Sequence, residues 1–331
     1  MSFTNKNDNR VHLTAVTDTY NYQNTVPKSC VHRAVVGEVF LTDVRKIHDD
    51  KFTTAGYLPK SHIYFNDLPY QKSEDRVYDA ILLLEICRQT SIYVTHNFFS
   101  VPYSARFVFD DADFILLDKN IPYKPECSNV IVEVDIAERK FRKTELTGLI
   151  FRMNIYVDGT FCAQKTMNIS WMDERKWQRL RNNRPLHSHS TIASFDTTAR
   201  EVGRQLTQNV VIGNKEISDR GLTTTVIVDQ DHPSIFDHPL DHVPGMLLIE
   251  AYRQSALLAI NHRLNIPSTE LVINRYKVSF KRFCEFHLPV YCHVWLDRIH
   301  FTGNKNNTVI PMTIFQNEEV VSTAELTIMS K

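Results

Sequence analysis

Glycine is scarce in this chain, nine in 331 residues. Neither GxGxxG nor GxxxxGK[ST] occurs, which removes the phosphate-cradling loops of nucleotide-binding folds. Charge of one sign is not in excess either: 38 Lys plus Arg face 38 Asp plus Glu. A nucleic-acid module normally carries a basic surplus, so none is expected here. No run of ~18 apolar residues is present, which excludes a membrane-spanning helix. The opening MSFTNKNDNR has no apolar stretch of the kind a secretory signal needs. Six cysteines, at 30, 87, 127, 162, 284 and 292, form no CxxC pair. Free thiols in a reducing cytoplasm are therefore the expectation. The remainder is ordinary for a soluble globular protein, 43% apolar and 23% charged. At ~100–200 residues per domain, the length suggests two domains or one large one.

What is present is an internal repeat. LLLEICRQTSI (82–92) and LLIEAYRQSAL (247–257) are identical at five of eleven positions, including Glu85/Glu250, Arg88/Arg253 and Gln89/Gln254. The same offset of 165, carried forward without a gap, pairs Val101-Pro102 with Ile266-Pro267. Upstream, EVFLTD (38–43) and FTTAGYLPKSHIYFND (52–67) resemble QNVVIG (208–213) and LTTTVIVDQDHPSIFD (222–237). Downstream, each copy ends in strand-like alternation. In the first, Asp158-Gly159 between two apolar runs signals a type I′ hairpin; in the second, Gln316-Asn317-Glu318 stands in that place. Such self-similarity marks two copies of one domain. Residues 173–200 turn charged and then small and polar, the composition of a connector. The expected division is 1–190, with the linker from about 173, and 191–331.

Each copy reads as strands, one long apolar helix, then several antiparallel strands. The helices are expected at 77–98 and 244–263. Both are apolar nearly all round (Ile81, Leu82, Leu83, Leu84, Ile86; Met246, Leu247, Leu248, Ile249), which is the mark of a buried helix. The strands are clustered rather than alternating with helices, so the fold class is α+β rather than a wound sheet. A buried central helix wrapped by an antiparallel sheet is the hotdog architecture, and two copies make a tandem double hotdog.

Each buried helix carries a glutamate that would be costly to bury unpaired. Two readings stay open. Glu85–Arg88 and Glu250–Arg253 are spaced i,i+3 and suit a purely structural pair. Alternatively each Glu is a site carboxylate with an Arg beside it, and the retention of Glu, Arg and Gln in two otherwise drifted copies favours this. The approach to the second helix is richer, with His232, Asp237, His238, Asp241 and His242 ahead of Pro244-Gly245. Pro and Gly ahead of a helix expose its first N–H groups, at Gly245 and Met246, to an anion or developing oxyanion. His238 and His242 are four apart, but prolines on both sides disfavour a ligand-bearing helix there, so no metal is assigned.

The string DHPLDHVPGMLLIEAYRQ (237–254) resembles the A-factor biosynthesis hotdog (AfsA-like) family of γ-butyrolactone signal biosynthesis. VHRAVVGEVFLTD (31–43), LLLEICRQ (82–89) and WQRLR (177–181) resemble further segments of the same family in the same order. The resemblance implies an acyltransferase without a cofactor. It moves a β-ketoacyl group from acyl carrier protein to the hydroxyl of dihydroxyacetone phosphate. On that footing Glu250, with His238 and, in the first copy, Glu85, are the catalytic candidates. Arg253 and Arg88 are candidates for the acceptor's phosphate, Gly245 and Met246 for the oxyanion, and His242 and His62 for further substrate contacts. The first copy has Arg76-Val77 and Asp79-Ala80 opposite Asp241-His242 and Pro244-Gly245. It therefore reads as the degenerate copy, with the complete site around Glu250. The competing functions are a hotdog dehydratase or thioesterase, and a non-catalytic acyl-ligand binder. RKWQRLRNNR (175–184), with five basic side chains, has two readings, a dock for the acidic carrier or a solvated linker helix that Trp177 and Leu180 pack onto a domain.

Overall fold

The computed structural model describes residues 20–70, 72–118, 121–181, 196–302 and 307–330. The first repeat contains β1 (Leu41–His48), β2 (Lys51–Leu58), α1 (Ala80–Phe98), β3 (Arg106–Leu116), β4 (Ser128–Arg142), β5 (Glu145–Val157) and β6 (Thr160–Met172). A short helix follows, α2 (Glu174–Arg181). The second repeat contains β7 (Ile212–Ile217), β8 (Gly221–Val226), α3 (Gly245–Leu264), β9 (Leu271–Phe280), β10 (Tyr291–Trp295), β11 (His300–Thr302), β12 (Asn307–Gln316) and β13 (Glu319–Ser330).

All strand pairs are antiparallel, and the order along the sheet is β1-β2-β4-β5-β6-β3-β9-β13-β12-β10-β8-β7, with β11 on β12. Read outward from the β3–β9 seam, the two halves have the same order. At the seam Asp113 lies opposite Lys277, residues 164 apart and equivalent in the two copies. One sheet half thus curls around each helix, as the tandem hotdog requires. The expected domain boundary at 190 falls outside the described residues.

Both helices begin slightly later than their apolar runs suggest, and the reason is local. The Asp79 carboxylate accepts a hydrogen bond from the Ile81 N–H at 3.0 Å, fixing the start of α1 at Ala80. Pro244 occupies the same position ahead of α3. The hairpin turn at Asp158-Gly159 has positive φ at both residues, 48° and 79°, as a type I′ turn demands. Asn317 and Glu318 repeat the geometry at 52° and 62°.

Neither helix has a wet stripe. Even polar residues of α1 (Glu85, Gln89, Thr90, Ser91, Thr95) are buried, and α3 buries Glu250, Arg253, Gln254 and Ser255. Buried polar groups need partners, and the repeats supply the same ones. Thr54 and Thr90 hydroxyls meet at 3.0 Å, and their counterparts Thr224 and Ser255 at 2.9 Å.

Candidate active site

The two helices carry matched polar clusters. Glu85 accepts from Arg88 (Nε at 2.8 Å, Nη2 at 2.9 Å), from Gln89 at 2.8 Å and from Arg33 Nε at 3.1 Å. Gln89 also donates to the Glu38 carbonyl and accepts from the Phe40 N–H. In the second repeat Glu250 accepts from Arg253 Nη2 at 2.9 Å, from Gln254 and from Arg204 Nε at 3.0 Å. Gln254 donates to the Asn209 carbonyl and accepts from the Val211 N–H. Burial pushes both carboxyl pKa values up, but Arg33 and Arg88 hold Glu85 down to about 2, and Arg204 and Arg253 do the same for Glu250. Each is a fixed anion near neutral pH rather than a proton acceptor.

Arg33 and Arg204 are absent from the sequence-based candidates. The structure pairs Glu38 with Asn209 through the matched bonds of Gln89 and Gln254, with Arg33 and Arg204 each five residues upstream. The likeness of EVFLTD to QNVVIG is one residue out of that register and sets Gly203 opposite Arg33. Both arginines sit in irregular segments, which carry no periodicity to read.

The clusters are cross-tied between repeats. Arg33 Nη1 reaches Asp237 Oδ1 at 2.8 Å, and the Ala34 N–H donates to Asp237 Oδ2 at 2.9 Å. In the mirrored tie, Arg204 Nη1 donates to the Tyr64 carbonyl at 2.7 Å, and Asp67 accepts from the Gln205 and Leu206 N–H groups at 3.3 and 3.1 Å.

A cleft of about 930 Å³ opens on one cluster and not on the other. Its wall takes His32, Glu85 and Arg88 from the first repeat and Ser234, His238, His242, Pro244, Gly245 and Met246 from the second. The site is therefore composite, whereas the sequence suggested a self-sufficient second repeat. Glu250 and Arg253 lie outside it. Arg253 Nη1 is held by both Asp79 oxygens, at 2.9 and 2.7 Å, and the Tyr64 hydroxyl donates to Glu250 at 3.0 Å. Where the first repeat has Tyr64 and Asp79, the second has Ser234 and Pro244. Their small side chains leave open, beside Glu85, the space that Tyr64 and Asp79 fill beside Glu250.

His238 belongs to the Glu85 side. Its Nδ1 lies 2.6 Å from Asp237 Oδ1, the oxygen that also pairs with Arg33. The aspartate's side chain is fully buried, and the histidine keeps a third of its side chain exposed. The Nδ1 proton thus goes to Asp237, leaving Nε2 as the acceptor toward the cleft. Burial works to raise the Asp237 pKa, but the His238 hydrogen bond and Arg33 bring it well below the usual carboxylate range. His242 forms a second dyad, Nδ1 to Asp241 at 2.6 Å, with its ring centroid 5.9 Å from Trp177 and 5.0 Å from Phe283. The first N–H groups of α3, at Gly245 and Met246, have no acceptor among the described residues, in line with helix-end geometry.

His62 is not at the cleft. Its Nδ1 accepts from the Tyr64 and Phe65 N–H groups at 3.2 Å, and its Nε2 is 3.2 Å from Glu38, so it braces a turn. His232 braces the equivalent turn against Asn209. A different histidine, His32, lines the cleft. Its Nε2 meets His96 Nε2 at 2.8 Å, and burial and the neighbouring His96 push its pKa down to about 3.

Helix α2 straps the cleft rim. Glu174 pairs with Arg106 at 2.8 Å, Trp177 donates to Asp241 at 2.8 Å, and Arg181 grips Glu285 at 2.7 and 2.9 Å. Arg181 is therefore buried and paired rather than a free docking cation, while Arg175 and Arg179 are exposed. Arg184 lies outside the described residues.

Among solved structures, that of an inactive mutant of the CurJ dehydratase is similar at a TM-score of 0.50, with 9% identity, covering 88% of this chain and 96% of that one. At that identity the likeness shows the fold alone. A protein of Streptomyces virginiae named 2-oxo-3-(phosphooxy)propyl 3-oxoalkanoate synthase is 29% identical over 86% of this chain and 95% of its own length. A Streptomyces coelicolor protein of the same name is 26% identical over 87% and 90%. The profile of the A-factor biosynthesis hotdog domain matches residues 14–173 and again 188–330, so the chain belongs to the A-factor biosynthesis hotdog family.

Proposed function

We propose that the cleft transfers a β-ketoacyl group from the thioester of an acyl carrier protein to the hydroxyl of dihydroxyacetone phosphate. The named relatives are synthases of the ester this reaction forms. The observation that carries the reading is the Asp237–His238 dyad, its free Nε2 sharing one cleft with the unpartnered N–H groups of Gly245 and Met246. His238 Nε2 takes the acceptor's hydroxyl proton as that oxygen attacks the thioester carbon. The Gly245 and Met246 N–H groups hold the oxyanion of the tetrahedral intermediate. Collapse breaks the carbon–sulfur bond, and the imidazolium returns the proton to the leaving thiolate. Glu85 keeps Arg33 and Arg88 in place and takes no part in proton transfer. Of the two helix arginines only Arg88 lines the cleft, and it faces the acceptor's phosphate. Ile92, Phe107, Phe109, Met167, Ile249 and Phe280 give the acyl chain an apolar wall. The carrier approaches over the exposed basic side of α2, at Arg175 and Arg179.

The test is a reaction of β-ketoacyl carrier protein with dihydroxyacetone phosphate, read by mass spectrometry. The ester, or its cyclised product, is expected only with both substrates present. Acceptor-independent hydrolysis or loss of water overturns the reading in favour of a thioesterase or dehydratase.

A further inference from the structure

Among the described residues, the cleft wall contains one cation that is paired with no carboxylate. Along β6 the inward series is Ala163, Lys165, Met167, Ile169, with Gln164 and Thr166 facing out. An inward lysine breaks the apolar alternation of a half-buried strand. Lys165 is 5% exposed and lines the cleft. The only hydrogen bond of its ammonium among the described residues is a 3.4 Å contact to the Leu84 carbonyl on α1, one turn before Arg88. Burial pulls its pKa down, with Cys87 and Glu85 working in the other direction. The other cleft cations are all paired: Arg33 and Arg88 with Glu85, Arg106 with Glu174, Arg181 with Glu285. Arg88 places Nε and Nη2 on Glu85, leaving Nη1 without an acceptor among the described residues.

The fold does not require this lysine. β6 and β13 both return from a two-residue turn, and both bulge at their third residue, Cys162 and Val321. In that register Lys165 corresponds to Ala324, which is also buried. The repeat with the sealed cluster thus has a methyl group where the repeat with the cleft has an ammonium. An uncompensated buried cation is costly to the empty protein, and an anion arriving in the cleft removes that cost.

We propose that Lys165 and Arg88 Nη1 form the anion-binding end of the cleft and hold the phosphate monoester of the acceptor, so that Lys165 sets the preference for a phosphorylated over an unphosphorylated acceptor. The identity of the acceptor rests on the acyl-transfer reading above; the anion site does not.

Two measurements separate these. In the first, the full-length protein and its Lys165→Met and Lys165→Arg variants are titrated with inorganic phosphate and followed by thermal melting. Wild type is expected to gain stability with phosphate, Lys165→Arg to keep part of the gain and Lys165→Met to lose it. A wild type unmoved by phosphate, or a Lys165→Met variant that responds equally, overturns the anion site whether or not acyl transfer occurs. In the second, kcat/KM is measured with dihydroxyacetone phosphate and with dihydroxyacetone. Their ratio is expected to fall about 10- to 100-fold in Lys165→Met, the scale of one hydrogen bond to a charged group. An unchanged ratio overturns the acceptor assignment. So does a rise confined to the KM for the acyl carrier, which would place the carrier's own phosphate on Lys165. If wild-type protein acylates neither acceptor, the acyl-transfer reading fails, and the phosphate titration still decides the site.

Discussion

Asp79 and Pro244 occupy the same place in the two repeats, the residue before the central helix, and differ in what they do to the helix arginine of the opposite repeat. Asp79 takes both its oxygens to Arg253, within 2.9 Å. Pro244 offers nothing to Arg88, which keeps one guanidinium nitrogen free on the cleft side. One residue type at one position thus helps decide which buried glutamate faces a ligand.

His238→Ala is expected to lower turnover by ~10²-fold or more, the scale of general acid–base catalysis, with the melting temperature little changed because the ring is partly exposed. Asp237→Asn removes the orienting carboxylate and one partner of Arg33, so it should lose activity and stability together. Turnover measured beside thermal melts separates the two. Full activity in His238→Ala sinks the dyad.

Glu250→Gln is expected to act on stability. Breaking a buried charge pair costs about 3–5 kcal/mol, and here Arg204 and Arg253 lose their shared anion while the cleft is untouched. Denaturant unfolding should shift markedly, while kcat per folded molecule stays within a few-fold of wild type. A ~10²-fold fall in kcat without loss of stability would instead make Glu250 a working carboxylate.

The pH dependence of stability follows from the same groups. Glu85 and Glu250 sit near 2 in the folded protein against an ordinary 4.5. The unfolded chain binds their protons first, so their contribution is complete above about 4.5 and is lost as pH falls toward 2. His32, at about 3 against an ordinary 6.5, resists charging in the fold. Its contribution is complete above about 6.5 and falls from there toward 3. Unfolding free energy should therefore decline in two stages on acidification, and His32→Gln should reduce the upper one, to which His96, His232 and His293, also held down by burial, contribute as well. A profile level from pH 6.5 to 4.5 in wild type contradicts the burial of a neutral His32.

Arg181→Glu and Arg179→Glu should part company. The first sets a like charge against Glu285 in a buried place and should destabilise by about 3–5 kcal/mol. The second is exposed and should raise the KM for the carrier-bound substrate only, with the defect shrinking at high salt. If small thioesters suffer equally in Arg179→Glu, α2 is a connector and no dock.

The duplication, the buried helices and the hairpin turns were legible in the sequence because each is written locally, in a period, an apolar run or an Asp-Gly pair. Gly245, Met246, His238 and His242 were legible as a group for the same reason, being contiguous. That His238 shares its cleft with Glu85 rather than with Glu250 was not. Glu85 lies about 150 residues away in the other repeat, and the link runs through Arg33 and Asp237, neither of which marks a helix or strand. Arg253 matched Arg88 by alignment, yet its neighbours Asp79 and Tyr64, supplied by the first repeat, close it off. Lys165 was hidden by its strand, where a single residue out of pattern carries little weight.

The crossed ties, Arg33 to Asp237 and Arg204 to the Tyr64 carbonyl, have a consequence for how such a molecule diversifies. In a two-fold symmetric pair of identical chains, every substitution lands twice and both faces change together. Once the two halves are one polypeptide, a tyrosine can be placed in one loop and a serine in the other. One face is then free to become a keystone, welded shut, while its twin is hollowed for chemistry. The price of that freedom is mutual dependence: each half, cut loose, would carry an arginine whose anchor stayed behind.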